Sequence, residues 1–452
     1  MRQIPLLSNE ESVIPLALDP NHSMIRLTRE IDWDLLEEIA RECRQKTIKS
    51  SRGLQPKYRA NCGAVVVRSL KSADLRTTED LIRNYLPARY MCDLHNSHWT
   101  PDHDTIWEFE AMLGEEGLSL FNQHILSLAG ARGFLDTKGL CADTTAQEAK
   151  IPYPNEVGLM GSFGKAIGRS LRTLGAVASG TKKKIKAKLQ DLAKNLRKHR
   201  LFSKTKEARL KVAAKMSEIT KDLLQDMGQL LGTVSANIGG KKKRAANHLA
   251  DVYSTMQRLI GQIDHWIKTG WVVPEKIISL FQSELRAIPR GKIGKDVEFG
   301  LKWGVNQIRG GYVHLFMMKE MRAADCEFAV EAIREHIRIF GEAPKEFGFD
   351  RGGWSEPHME QMKNLGVRRI GVAPKGKADW KVSKTCEENI KRERAQVEGK
   401  IGTMKHYGFN KPEEKTIAGM HRAARRAELR FNCGKLLRDL FPPAMKRAVA
   451  AN

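Results

Sequence analysis

The hydrophobic period changes along this chain, and each change limits what the segment can become. From Asp32 the period is helical: Leu35, Leu36 and Ile39 form one face, with Asp32 as N-cap. A second helix is expected over 62–70. A third follows the capping pattern Thr77-Thr-Glu-Asp80 into Leu81, Ile82 and Tyr85. Thr100-Pro101 reads as a cap and first helical position before Ile106, Phe109 and Met112. Near Phe134 a strand-like alternation takes over and lasts to Thr145. After Gly161 the helical period returns in a basic setting. Ile185, Leu189, Leu192 and Leu196 recur at spacings of 4, 3 and 4, and Val212 to Leu223 and Leu249 to Ile263 continue in kind. Lys182-Lys-Lys and Gly239-Gly-Lys-Lys-Lys-Arg244 fall between these runs. This stretch predicts a helical bundle or coiled-coil hairpin with a basic outer face.

From Pro289 the character is α/β. Segments 297–303 and 312–318 read as strands joined across the turn signal Arg309-Gly-Gly311. An amphipathic helix over 325–340, a strand over 346–350, a helix over 356–365 and a strand over 369–372 follow. A lysine- and glycine-rich loop and a helix from about Glu387 come next. The order is β, large insertion, β, β, α, β, α, β, α. The predicted fold is α/β, a mixed sheet that resembles an RNase H-like core interrupted after its first strand. The corresponding division is a lead-in over 1–25, an all-helical domain over 26–132 and a split core over 133–160 and 289–410. A basic helical insertion over 161–288 and a basic C-terminal helical tail over 411–452 complete it.

Charge narrows the partner. The 452 residues carry a formal net charge of +24, which points to a polyanion and most simply to nucleic acid. No apolar run approaches the roughly 20 residues of a membrane span, so no membrane partner is expected. The N-terminus lacks an apolar segment before its acidic residues, which argues against a secretory signal. Seven scattered cysteines without a CxxC pair fit reduced thiols and a cytoplasmic setting. No GxxxxGK[ST] occurs; near Gly164-Lys165, Leu159 stands where the first Gly is needed and Ala166 replaces Ser or Thr. P-loop nucleotide hydrolysis is not expected. Cys92, His95, His98 and His103 cluster, but their spacing matches no zinc finger, and cap and loop roles are the plainer reading.

Three acids carry the chemical reading. Asp143 ends the alternating run from Phe134. Asp350 ends Glu346-Phe-Gly-Phe-Asp350 and precedes Arg351-Gly-Gly-Trp. Strand ends are where α/β folds place their sites. Glu398 lies mid-helix, and at 100° per residue Lys391, Arg394, Glu398 and Lys405 fall within about 60° of one another. Ile390, Val397, Ile401 and Met404 form the adjacent apolar stripe. Ordinary i,i+4 pairing of Arg394 with Glu398 on a surface helix accounts for the same spacing. Arg422, Arg425, Arg426 and Arg430 in the C-terminal helix are candidates for added phosphate contacts.

The sequence resembles the bacterial insertion-sequence transposases of the DDE type. Cys141-Ala-Asp143-Thr-Thr-Ala-Gln-Glu-Ala-Lys-Ile-Pro-Tyr-Pro is similar to their first-aspartate segment. Phe349-Asp350-Arg-Gly-Gly-Trp-Ser resembles their second-aspartate strand and turn. Glu393-Arg394-Ala-Gln-Val-Glu398-Gly resembles the third-carboxylate helix. One subgroup reads Tyr, two residues, Arg, three, Glu, six, Lys there; Arg394, Glu398 and Lys405 fit, and Lys391 replaces the Tyr. The resemblance implies a DNA transposase in which Asp143, Asp350 and Glu398 bind two Mg²⁺ or Mn²⁺ ions. It implies cleavage of transposon ends and joining of their 3′-hydroxyls to target DNA, with Lys391, Arg394 and Lys405 on phosphates. The expected partner is double-stranded DNA, both terminal inverted repeats and target. A homodimer or higher synaptic complex and nucleoid association in a bacterial cytoplasm follow from the same resemblance. The alternatives are a non-catalytic DNA-binding derivative and a metal-dependent nuclease that does not join.

Overall fold

The computed structural model describes residues 18–47, 55–175, 179–233, 238–292, 295–318, 323–373 and 383–442. Most of the expected lead-in, the lysine- and glycine-rich loop over 374–382 and the chain past 442 lie outside the described residues. The fold is α/β. Six strands form one mixed sheet: β1 (Asp136–Glu148), β2 (Arg286–Lys292), β3 (Lys295–Arg309), β4 (Val313–Phe316), β5 (Glu346–Phe349) and β6 (Arg369–Val372). Their order is β2-β3-β1-β5-β6, with β4 also paired to β3. The chain forms two compact units, 1–147 with 302–452, and 148–301.

The first unit opens with six helices: α1 (Ser23–Glu30), α2 (Trp33–Thr47), α3 (Tyr58–Lys71), α4 (Leu75–Asn84), α5 (Leu86–Met91) and α6 (His103–Ala131). Asp32 caps α2 as expected, accepting from Leu35 N–H at 3.1 Å. Two other caps fall elsewhere. Asp74, not Thr77, caps α4 by accepting from Thr77 N–H at 2.9 Å. Asp102 caps α6 by accepting from Thr105 N–H at 2.8 Å. In both cases a carboxylate lies within reach of the open amides and displaces the threonine.

The C-terminal helix α14 (Ile417–Leu440) shares a core with these helices, through Leu429, Cys433 and Leu436. It also closes the free edge of β4. Asn432 Oδ1 accepts from Val313 N–H at 3.0 Å, Glu428 Oε1 accepts from Leu315 N–H at 2.7 Å, and Arg425 donates to Leu315 O at 2.6 Å. Side chains thus supply the ladder partners that an open strand edge lacks.

This packing changes the reading of the α14 arginines. Arg422, Arg425 and Arg426 face inward and are held by carboxylates. Arg426 pairs with Glu110 and Glu414, and Arg425 with Glu115 at 2.8 Å and Glu428 at 3.0 Å. Arg422 lies 3.7 Å from Glu110, which Arg68 of α3 also binds. These guanidiniums are structural and are not offered to phosphates. Only Arg430 of the four is free of the buried network; it donates to Ser72 and covers the Tyr407 ring at 4.0 Å.

The other side of the unit is the sheet core. Helices α11 (Asp325–Phe340) and α12 (Glu356–Asn364) bury Phe328, Ile333 and Met362 with Leu140 of β1 and Phe347 and Phe349 of β5. β1 and β5 run parallel with Cys141 opposite Gly348, and β5 and β6 run parallel with Gly348 opposite Gly371. Helix α13 (Lys384–Met404) lies across this patch.

The second unit contains the segment read as a helical insertion. Four helices form it: α7 (Glu156–Leu174), α8 (Ser179–Leu201), α9 (Lys206–Thr233) and α10 (Gly240–Thr269). The basic runs expected between helices lie inside them, Lys182-Lys-Lys in α8 and Lys241–Arg244 in the first turn of α10. β2, which no sequence pattern announced, pairs antiparallel with β3, Arg286 opposite Gly300 and Pro289 opposite Val297. Among the described residues, no helix is long and apolar enough to cross a membrane.

Candidate active site

The site is built on a pair of glycines that lets a helix approach a sheet. Gly348 and Gly371 are partners on β5 and β6. A Cβ at Gly371 would stand 2.1 Å from Ile390 Cδ1, and one at Gly348 would stand 2.8 Å from Ile390 Cγ2. Ile390 therefore seats where both strands lack side chains. With Val397 and Met404, also buried, it forms the apolar stripe expected of α13. Arg309 fastens the same helix: its Nε donates to Glu393 at 2.9 Å, and its guanidinium also pairs with Glu346 of β5. Arg394 follows Glu393 and Glu398 lies one turn further on.

Asp143 lies within β1, which runs on to Glu148, and not at its end as expected; Asp350 is the first residue past β5. Each stands two residues beyond the partners Cys141 and Gly348, and neighbouring strands are about 5 Å apart. The Asp143 carboxyl is pushed up to about 6, first by burial and then by the charges of Asp350 and Glu398; Thr144 N–H and Arg394 oppose the rise. Thr144 N–H donates to Asp143 Oδ1 at 2.7 Å. Asp350 is also raised, by burial and then by Asp325, against Arg394 and the amides of Gly352 and Gly353. Its Oδ1 is buried and accepts no hydrogen bond among the described residues.

Arg394 thus lies in the field of both aspartates. Among the described residues no ion pair joins it to Glu398, so the surface-pair reading does not describe this helix. Glu398 itself is exposed and is the weakest of the charges acting on Asp143. Lys391 is exposed and pairs with Glu387 at 2.5 Å. Lys405 lies past the end of α13, in a π-helical turn over Lys405–Phe409. The 100° step that aligned it with Glu398 therefore stops before it is reached.

One acid was not singled out by the sequence. Asp325 opens α11, and a Cβ at Gly352 would be 2.8 Å from Asp325 Oδ2 and 3.1 Å from Asp350 Oδ1. The two carboxylates flank one glycine. Asp325 is held by Lys302 at 2.8 Å and accepts from the Thr144 hydroxyl at 3.3 Å. Its only sequence signal is a position at a helix start, where Asp is commonplace.

The donor set suits a hard cation. It consists of carboxylate oxygens, one of them buried without a donor, and burial together with a neighbouring carboxylate raises two of the groups. Among the described residues, no three His, Cys, Asp or Glu side chains are gathered as a ready metal cage. The Cys92–His103 cluster does not converge either: Cys92 is buried in the helical core, and His103 Nδ1 lies 2.7 Å from Glu79. Comparison with family models, curated proteins and solved structures returns no match.

Proposed function

We propose that this chain is a DNA transposase of the DDE type, with an RNase H-like core and Asp143, Asp350 and Glu398 as its catalytic acids. The observation that carries the reading is the convergence of Asp143 and Asp350 just beyond the paired residues of two parallel strands, with Arg394 of α13 acting on both and Glu398 on Asp143. The strand order β4-β3-β1-β5-β6 supports it, because the first and fourth core strands are then central neighbours.

In this reading Asp143, Asp350 and Glu398 are the residues that would hold the divalent ions. Two Mg²⁺ or Mn²⁺ ions, when bound, supply the charge that activates water or a 3′-hydroxyl and steadies the leaving oxygen. Arg394 neutralises the aspartates when no ion is bound and holds a phosphate when substrate is present. Lys391 and Lys405 add phosphate contacts on the two sides of Glu398. Thr144 N–H fixes the rotamer of Asp143. Double-stranded DNA is the substrate, and pairing of two ends requires a dimer or larger assembly.

The test uses purified protein, Mg²⁺ and labelled duplexes carrying the ends of the flanking element. Wild type is expected to cleave and to join 3′ ends, and Glu398→Gln to lose both while still binding DNA. Cleavage without joining identifies a nuclease. Binding without metal-dependent chemistry on correct ends identifies a non-catalytic DNA-binding protein.

A further inference from the structure

The 148–301 unit holds a cavity of about 910 Å³ between α7 and α8. Five cations line it: Lys165, Arg169 and Arg172 from α7, and Lys182 and Lys186 from α8; Leu171, Leu189 and Ala193 supply its aliphatic lining. No carboxylate is among its lining residues. The α7 cations recur at spacings of 4 and 3, one helix face, and span about 10 Å along the axis.

The helix packing explains why the cations converge. α7 offers Gly161, Gly164 and Gly168 to α8. A Cβ at Gly161 would lie 2.8 Å from Leu196, one at Gly164 2.8 Å from Leu192, and one at Gly168 3.9 Å from Leu189. The helices are thus antiparallel and close at one end, and the groove opens beyond Gly168. The cations of α8 divide between two sides. Lys184 and Lys188 face α9 and are neutralised by Asp226, at 3.0 and 2.7 Å. Lys182 and Lys186 face the α7 row, where among the described residues no acid answers them. A merely solubilising surface does not sort its charges in this way. Phe281, half-exposed, adds an aromatic edge: the Arg169 guanidinium lies 5.9 Å from its ring, and His248 stacks on it at 5.6 Å.

We propose that this groove binds the phosphodiester backbone of DNA, with phosphates on the two cationic rows and the sugar side against the aliphatic lining. The proposal rests on the nucleic-acid part of the function above and not on its chemistry. An apolar lining beside cationic rows fits a strand, whose charge repeats along one edge, better than a compact anion.

The experiment measures binding of the full chain to a fluorescent duplex across a salt series. One variant carries Arg169→Gln, Arg172→Gln and Lys186→Gln. A control removes the same charge from exposed positions of α9, Lys206→Gln, Lys211→Gln and Lys215→Gln. Each lost phosphate contact lowers the slope of log affinity against log salt by about 0.9. The groove variant is expected to lose about 2 to 3 in slope, and the control less than about 1. Arg169→Lys with Arg172→Lys keeps the charge and should keep the slope, which separates loss of contact from loss of fold. Equal loss in groove and control variants, or no loss in the groove variant, overturns the proposal alone. Wild-type protein that binds no DNA overturns the proposed function with it.

Discussion

Asp143 and Asp350 occupy the same level of two parallel neighbouring strands, each two residues past the partners Cys141 and Gly348. Strand register carries both chains to this level, and Asp350, the first residue past β5, also opens the turn Arg351–Gly353. Burial resists ionisation of both carboxyls, and a neighbouring carboxylate, Asp350 for Asp143 and Asp325 for Asp350, adds to the resistance.

A pH-dependent stability follows from the Asp143 carboxyl. It titrates at about 6 in the folded protein, above the value of about 3.9 expected when unfolded. The folded state therefore favours the protonated form. That contribution is complete below the unfolded value and is lost as pH rises through about 6. In EDTA at pH 8, Asp143→Asn is expected to melt above wild type, because it removes an unfavourable charge. Mg²⁺ should raise the Tm of wild type at pH 8 and leave that of Asp143→Asn nearly unchanged. Thermal melts at pH 5 and pH 8 check both. A variant that melts at or below wild type at pH 8 without metal sinks the argument.

Gly371→Val tests the seat of α13. The new side chain would meet Ile390 at three carbons, the nearest 2.1 Å from its Cβ, and a β-branched side chain such as Ile cannot rotate away freely. Overpacking of this kind costs about 1–3 kcal/mol and lifts Arg394 and Glu398 from the strand ends. The expected result is a folded protein with a lower urea midpoint and little DNA cleavage. Adding Ile390→Ala should restore part of both. Wild-type midpoint and activity in Gly371→Val would show that the glycine pair does not position the helix.

How much of this could be read in the sequence depends on the range of the interactions. α11, β5, α12 and β6 follow from local periodicity, and their bounds match the expected segments within a residue or so. Asp143 and Asp350 drew notice because each closes a short apolar stretch of sequence, although β1 in fact runs on to Glu148. β2 was not, because Arg286–Lys292 contains Pro289 and Gly291 and has no apolar alternation; proline is tolerated at a strand edge, where no ladder donor is needed. Asp325 was not, because its neighbours Lys302, Thr144 and Asp350 come from three other elements. The arginines of α14 misled for the same reason. Their count suggested phosphate contacts, and only the fold supplies Glu110, Glu115, Glu414 and Glu428 as partners.

Asp325 and Lys302 should tune the proposed cation site in opposite directions. Asp325→Asn removes a negative charge beside Asp350 while keeping an oxygen for Thr144. Its Mg²⁺ affinity is expected to fall roughly tenfold, the lower range for a residue that supports metal ligands. Lys302→Gln leaves Asp325 uncompensated and should strengthen Mg²⁺ binding. Titrations of Mg²⁺ followed by calorimetry give the sign of each change. Two variants that shift the affinity in the same direction would mean that the pair acts through structure and not through charge.

The buried arginine network should govern stability and leave DNA binding alone. Glu110 is 1% exposed and is contacted by Arg68, Arg426 and Arg422. Glu110→Gln removes a buried carboxylate from three guanidiniums and leaves Arg68 and Arg426 with Glu414 alone. Removing one partner of a buried pair costs about 3–5 kcal/mol, so the urea midpoint should fall steeply. Arg426→Gln should destabilise too, because it strips a donor from Glu110 and Glu414. Neither change touches a surface cation, so the salt dependence of DNA binding should match wild type in whatever fraction stays folded. A slope reduced by about 1 in Arg426→Gln would instead mean that this guanidinium reaches a phosphate and that α14 moves when DNA is bound.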